Sequence, residues 1–179
     1  MRSSALVLAL VGLAGAGRLA VAQAVSGGVR GGVTIPAGAY GTTASDLGTG
    51  WNAGAVARVQ FKESHFGAQF DVGYSRNPID GPPFGSVNDW QAGLGLFWAV
   101  LPVAARVRPY ALLGVGVDYW EDTNGNGLTP AVYGSVGFDV RMDPVMPYAE
   151  VQYRNVFTPG SNLRTVQIMF GARYLFGHR

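Results

Sequence analysis

Apolar and polar residues alternate one for one through most of this chain, in about eight separate stretches. A period of two leaves little besides β-strands for such a chain to fold into. In Phe66-Gly67-Ala68-Gln69-Phe70-Asp71-Val72-Gly73-Tyr74-Ser75 successive side chains point to opposite faces of a strand. Phe66, Ala68, Phe70, Val72 and Tyr74 therefore make one apolar face, and Gly67, Gln69, Asp71, Gly73 and Ser75 a small, polar one.

The alternation begins only after residue 24. Before it, Arg2 supplies a basic start and residues 5–17 a short apolar run. Ala20-Val21-Ala22 and Ala22-Gln23-Ala24 each offer a small-residue cleavage site. The spacing predicts a secretory signal peptide over residues 1–24 and one folded domain over 25–179. A lone membrane anchor is the alternative, but the run is too short to span, and Arg18 ends it early.

Losing Arg2 and Arg18 lowers the 13 basic residues to 11, equal to the 11 acidic ones, so the mature chain is formally neutral. That removes the main support for nucleic-acid binding. The absence of cysteine excludes disulfides and thiolate metal sites. Lys62 is the one lysine, and Glu63, Glu121 and Glu150 the only glutamates. A soluble β-protein normally guards its surface and edges with these residues, so their scarcity points to an outer surface out of water.

The alternating stretches predict strands over about residues 25–35, 51–61, 66–75, 89–100, 107–119, 131–140, 147–156 and 163–176. Longer polar connections (residues 37–50, 76–88, 121–130 and 158–162) alternate with shorter ones (62–65, 101–106 and 141–145). The 101–106 turn, LPVAAR, is less polar than its position suggests. Short turns at one end and long loops at the other are the pattern of an outer-membrane barrel with both termini in the periplasm.

Aromatic placement decides which face is outside. On the apolar face Trp51, Phe61, Phe66, Tyr74, Trp90, Trp98, Tyr119, Tyr174 and Phe176 fall mostly near strand ends, with Ala, Val and Leu between. Two girdles flanking an aliphatic band are what a bilayer selects. A soluble lipocalin-like barrel would turn this face inward and has no reason to keep its rings at the rims. The expected fold is all-β: an eight-stranded antiparallel up-and-down transmembrane β-barrel. The Gly-rich first strand (Val29-Arg30-Gly31-Gly32-Val33), the repeated hairpins and the closing Phe170-x-Ala-x-Tyr-x-Phe176 give the region after the leader an end-to-end resemblance. It resembles the small outer-membrane barrels of the OmpA-like, OmpX-like and opacity type. The resemblance implies that the barrel-assembly machinery and periplasmic chaperones are partners during biogenesis. It also implies that Phe176, followed here by Gly177-His178-Arg179, is the terminal recognition aromatic.

Arg30, Arg58, Asp71, Asp139, Glu150 and Arg173 fall on the polar face, hence in the lumen. Eight strands leave an interior just wide enough for side chains to fill. A plug of paired charges is therefore favoured over an ion path, since an unpaired buried charge is so costly. Arg58 and Asp71 are expected as diagonal neighbours on adjoining strands, with Glu150 in the same layer. Residues 122–127 (DTNGNG) match the first half of a calcium-binding loop, but Tyr133 stands where the bidentate glutamate belongs, so a hairpin tip is expected. Some barrels of this size modify lipid A with a catalytic histidine. Here His65 and His178 both lie at the periplasmic end, so no enzyme, cofactor or metal is expected. The expected role is a monomeric outer-membrane barrel, surrounded by lipid, acting structurally or through its loops on an extracellular ligand. A narrow pore is the alternative, and a soluble ligand-binding barrel stands third.

Overall fold

The structure is a computed structural model and describes residues 22–37, 46–61, 64–80, 85–102, 105–122, 125–158 and 161–176. The leader assigned to residues 1–24 lies outside the described residues except at its end, where the first strand already starts at Ala22. Eight long strands follow one another: β1 Ala22–Pro36, β2 Gly50–Phe61, β3 Phe66–Asp80 and β4 Gly85–Ala99, then β5 Val107–Asp122, β6 Gly125–Val140, β7 Val145–Thr158 and β8 Ser161–Phe176. Each pairs antiparallel with the next, and β8 pairs with β1, so the sheet closes on itself. Closure removes the open edges that a free sheet would expose.

The register fixes the barrel's slant. Directly opposed residues run Val25, Val59, Ala68, Leu96, Leu113, Gly134, Tyr153 and Val166, and return to β1 at Ile35. One circuit therefore climbs from Val25 to Ile35, a stagger of ten residues that tilts every strand against the barrel axis.

The apolar face points outward. Leu94, Leu96, Leu113, Val115, Val136 and Phe170 form a bare apolar belt, with Leu113 73% exposed. The lumen is the reverse: Arg154, Gln152 and Asp118 are completely buried. Such an inside-out distribution is stable only where the surroundings are apolar. It is opposite to that of a soluble ligand-binding barrel.

Two of the expected long loops are mostly strand. The segments at 76–88 and 121–130 continue the hairpins, with Ile79 opposite Gly85 and Asp122 opposite Gly125. Past the belt the outer face meets water and turns polar, while the inner face stays buried, with Asn77 4% and its partner Val87 2% exposed, so the apolar-polar alternation fades while the pairing persists. The expected loop at 158–162 likewise tightens to a turn, with Thr158 opposite Ser161. At the tip of β5–β6 Asp122 stands opposite Gly125, whose N–H donates to Asp122 Oδ1 at 2.9 Å, so the described ends of the DTNGNG segment belong to a hairpin. Within the first connection, Asp46–Leu47 adds a two-residue strand against Ile79 and Asp80 of β3. The LPVAAR segment turns tightly at Pro102, whose carbonyl accepts the Ala105 N–H at 3.0 Å.

The outer rings stand in two rows. At the level away from the termini, Trp51, Tyr74 and Trp90 pack as tilted neighbours with centroids 5.4 and 4.8 Å apart, and Tyr119 lies directly opposite Trp90. β3, β4 and β5 run on past this row, so Tyr74, Trp90 and Tyr119 sit inside strand ends, whereas Trp51 stays at the start of β2. At the terminal level, Phe66 opposes Trp98, and Tyr174 packs on Phe176 at 5.3 Å, with Phe61 exposed at the end of β2.

Candidate functional site: the charged lumen

The lumen carries five buried arginines (Arg30, Arg58, Arg108, Arg154 and Arg173) and five buried carboxylates (Asp71, Asp89, Asp118, Asp139 and Glu150). Strand parity puts them there, since each sits an even number of residues from a neighbour on the polar face. All six charges expected in the lumen are inside. The reading from sequence left Asp89, Arg108, Asp118 and Arg154 out of that set, although Arg108 and Asp118 share the parity of Tyr110, and Arg154 that of Glu150.

The charges divide into three levels. Near the termini, Asp139 receives three arginines: Arg108 Nη2 at 2.8 Å, Arg58 Nη1 at 3.4 Å, and Arg173, which hydrogen-bonds its other oxygen. In the middle, Arg30 lies 3.7 Å from Asp71 and 3.8 Å from Glu150, and Glu150 is also 3.9 Å from Arg58. Toward the loops, Arg154 grips Asp118 through Nε and Nη2, and Gln91 donates to Asp89 at 2.7 Å. Asn52, Thr34, Asn77 and Gln167 extend this upper level with neutral hydrogen bonds.

Arg58 and Asp71 are diagonal neighbours, Arg58 opposing Gln69 and Asp71 opposing Val56, but they are not partners. Gln69 accepts the Arg58 Nε–H at 2.9 Å, and the guanidinium then reaches across the lumen to Asp139 and Glu150. On its way it lies 4.5 Å from the centre of the Phe97 ring and 4.1 Å from that of Tyr110. Facing rings are favourable seats for a guanidinium held away from water.

Glycines make this filling possible. Phe97, Tyr110, Tyr133 and Tyr148 each stand directly opposite a glycine: Gly67, Gly137, Gly114 and Gly171. A Cβ at Gly114 would lie 2.5 Å from the Tyr133 ring and one at Gly171 2.7 Å from Tyr148, while one at Gly67 would overlap the Phe97 ring. Each ring lies flat over its neighbour strand instead of standing into the lumen, which leaves the axis to the arginines.

Toward the loop end the inner face carries apolar packing. Ala131, Val156 and Leu163 form a buried cluster, and Leu47 from the short strand packs against it. Asn77 Nδ2 holds that strand by donating to Gly48 O at 2.9 Å. At the other end His65 Nδ1 lies 2.8 Å from Ala99 O in a turn, which occupies one ring nitrogen with backbone. His178 is outside the described residues.

Two solved structures share this fold. Neisserial surface protein A superposes with a TM-score of 0.60 at 12% identity, over 84% of this chain and 95% of that one. A major outer membrane protein from Thermus thermophilus superposes with a TM-score of 0.59 at 12% identity, over 86% and 99%. The chain has the fold of the small eight-stranded outer-membrane barrels. At such identities the likeness speaks for fold alone. No protein-family model and no curated protein matches the sequence.

Proposed function

We propose that this protein is a non-enzymatic outer-membrane barrel whose lumen is a structural plug, and whose contacts with the outside are made by the hairpins at the end away from the termini. The cross-lumen charge network carries the reading: arginines and carboxylates from every strand meet along the axis, and Leu47 packs over the loop end. The bare apolar belt between two aromatic rows supports burial in lipid. Both termini then lie in the periplasm, where chaperones and the assembly machinery meet the chain. The projecting hairpins β3–β4 and β5–β6 are the parts available to an extracellular ligand.

Planar-bilayer recording on refolded protein tests this reading. The expected result is little or no steady conductance, together with protease access to the projecting hairpins in intact cells. Large, sustained channels from unmodified protein overturn the plug and establish a pore.

A further inference from the structure

The ten lumen charges balance in number but not in position. At the end where the termini emerge, Arg58, Arg108 and Arg173 converge on the single carboxylate of Asp139. The next carboxylate, Glu150, is 3.9 Å from Arg58, but it is shared with Arg30 at 3.8 Å and already accepts the Tyr110 hydroxyl at 2.7 Å. At the loop end the ratio is reversed, with Arg154 paired to Asp118 and a second carboxylate, Asp89, held by Gln91. The terminal level therefore holds an excess of positive charge in a site removed from water. A guanidinium does not shed its proton in a protein, so deprotonation cannot relieve that excess. The ring faces of Phe97, Tyr110 and Tyr148 offset part of it but carry no net charge.

A cavity opens beside these arginines. Ser26, Arg58, Gln60 and Arg108 line it, with Met146 and Leu175 at its apolar rim, and its volume is ≈ 10 Å³. That is about room for one water-sized particle. Arg108 is 4% exposed. Its Nη1 donates to Gln60 and its Nη2 to Asp139, while its Nε has no hydrogen-bond acceptor among the described residues. The site thus brings two buried guanidinium groups and a serine together on one cavity. Among anions, a single-atom one asks least of a space this small. A neutral water fits but leaves the charge where it was.

We propose that this cavity is a single-halide site, filled by chloride, which supplies the negative charge that Asp139 alone does not. The barrel is then stabilised by chloride as a specific ligand rather than by salt in general. This inference stands on the lumen geometry and does not depend on where the barrel resides or what its loops contact.

The test uses the refolded mature barrel. Unfolding midpoints are compared in sodium chloride and in sodium gluconate at equal ionic strength. A higher midpoint in chloride, saturating with concentration, is expected. In Arg108→Gln the saturable part should be lost, or its half-saturation point raised at least about tenfold, equivalent to 1.4 kcal/mol at 25 °C. Wild-type crystals soaked in bromide should show an anomalous peak between Arg58 and Arg108, a readout that survives if the variant does not fold. Equal midpoints in the two salts overturn the proposal, as does bromide found only at the protein surface.

Discussion

The ring of Tyr110 lies flat across Gly137, its direct partner on β6, and delivers its hydroxyl to Glu150 on the strand beyond, at 2.7 Å. A Cβ at position 137 would lie 2.7 Å from the Tyr110 oxygen and 2.5 Å from the Ala149 carbonyl oxygen. Gly137→Ala is therefore expected to destabilise the barrel by about 1–3 kcal/mol, the usual cost of overpacking. Tyr110→Phe keeps the packing and removes one hydrogen bond to a charged group, for about 1.5–3 kcal/mol. Urea unfolding of both variants checks the pair, and a neutral Gly137→Ala would contradict the seating of the ring.

Glu150 is the hinge between the terminal and middle levels, since it sits between Arg30 and Arg58. Removing one partner of a buried network strands the others, which typically costs about 3–5 kcal/mol. Glu150→Ala should show a loss of that order in the same unfolding assay. Its bilayer conductance should also be compared with wild type, since a leak in the variant alone would locate the plug.

Inside and outside can be told apart by substitution on the belt. Leu94 lies on the outer face, 59% exposed, while Gln91 is buried in the lumen. Leu94→Arg, near the bilayer midplane, is expected to cost about 2–4 kcal/mol in lipid vesicles. The same change in detergent should cost less, because a micelle adapts its headgroups to the charge. A Leu94→Arg variant equally stable in both would speak against a lipid-facing belt at that depth.

Phe176 is 53% exposed beside Tyr174 on the last strand. If the closing strand is what the assembly machinery reads, Phe176→Ala should slow the appearance of the heat-modifiable folded form in cells. Spontaneous refolding of the purified variant into detergent should change much less. Equal slowing in both would assign Phe176 to packing rather than recognition.

The faces of the strands were legible because a period of two needs only local sequence. Val29 out and Arg30 in follow from parity, as do Phe70 out and Asp71 in. Partners were not legible in the same way. Which carboxylate Arg58 meets depends on the ten-residue stagger, a property of the closed sheet that no single strand encodes. The glycine seats were hidden for a related reason: Gly114 becomes informative only once Tyr133 is placed opposite it. Residues 76–88 and 121–130 misled because Gly, Asn and Asp signal a turn by composition, yet most of them here extend paired strands.

Asp139 draws its arginines from β2, β5 and β8. No half of the barrel contains all four residues, so a half-formed sheet leaves at least one of these charges without its counterpart. The network thereby ties the fate of every hairpin to the last one. The stability this network supplies is therefore expected only when strands from both sides of the closure are in place, so that folding should resemble one cooperative step more than a sum of hairpins.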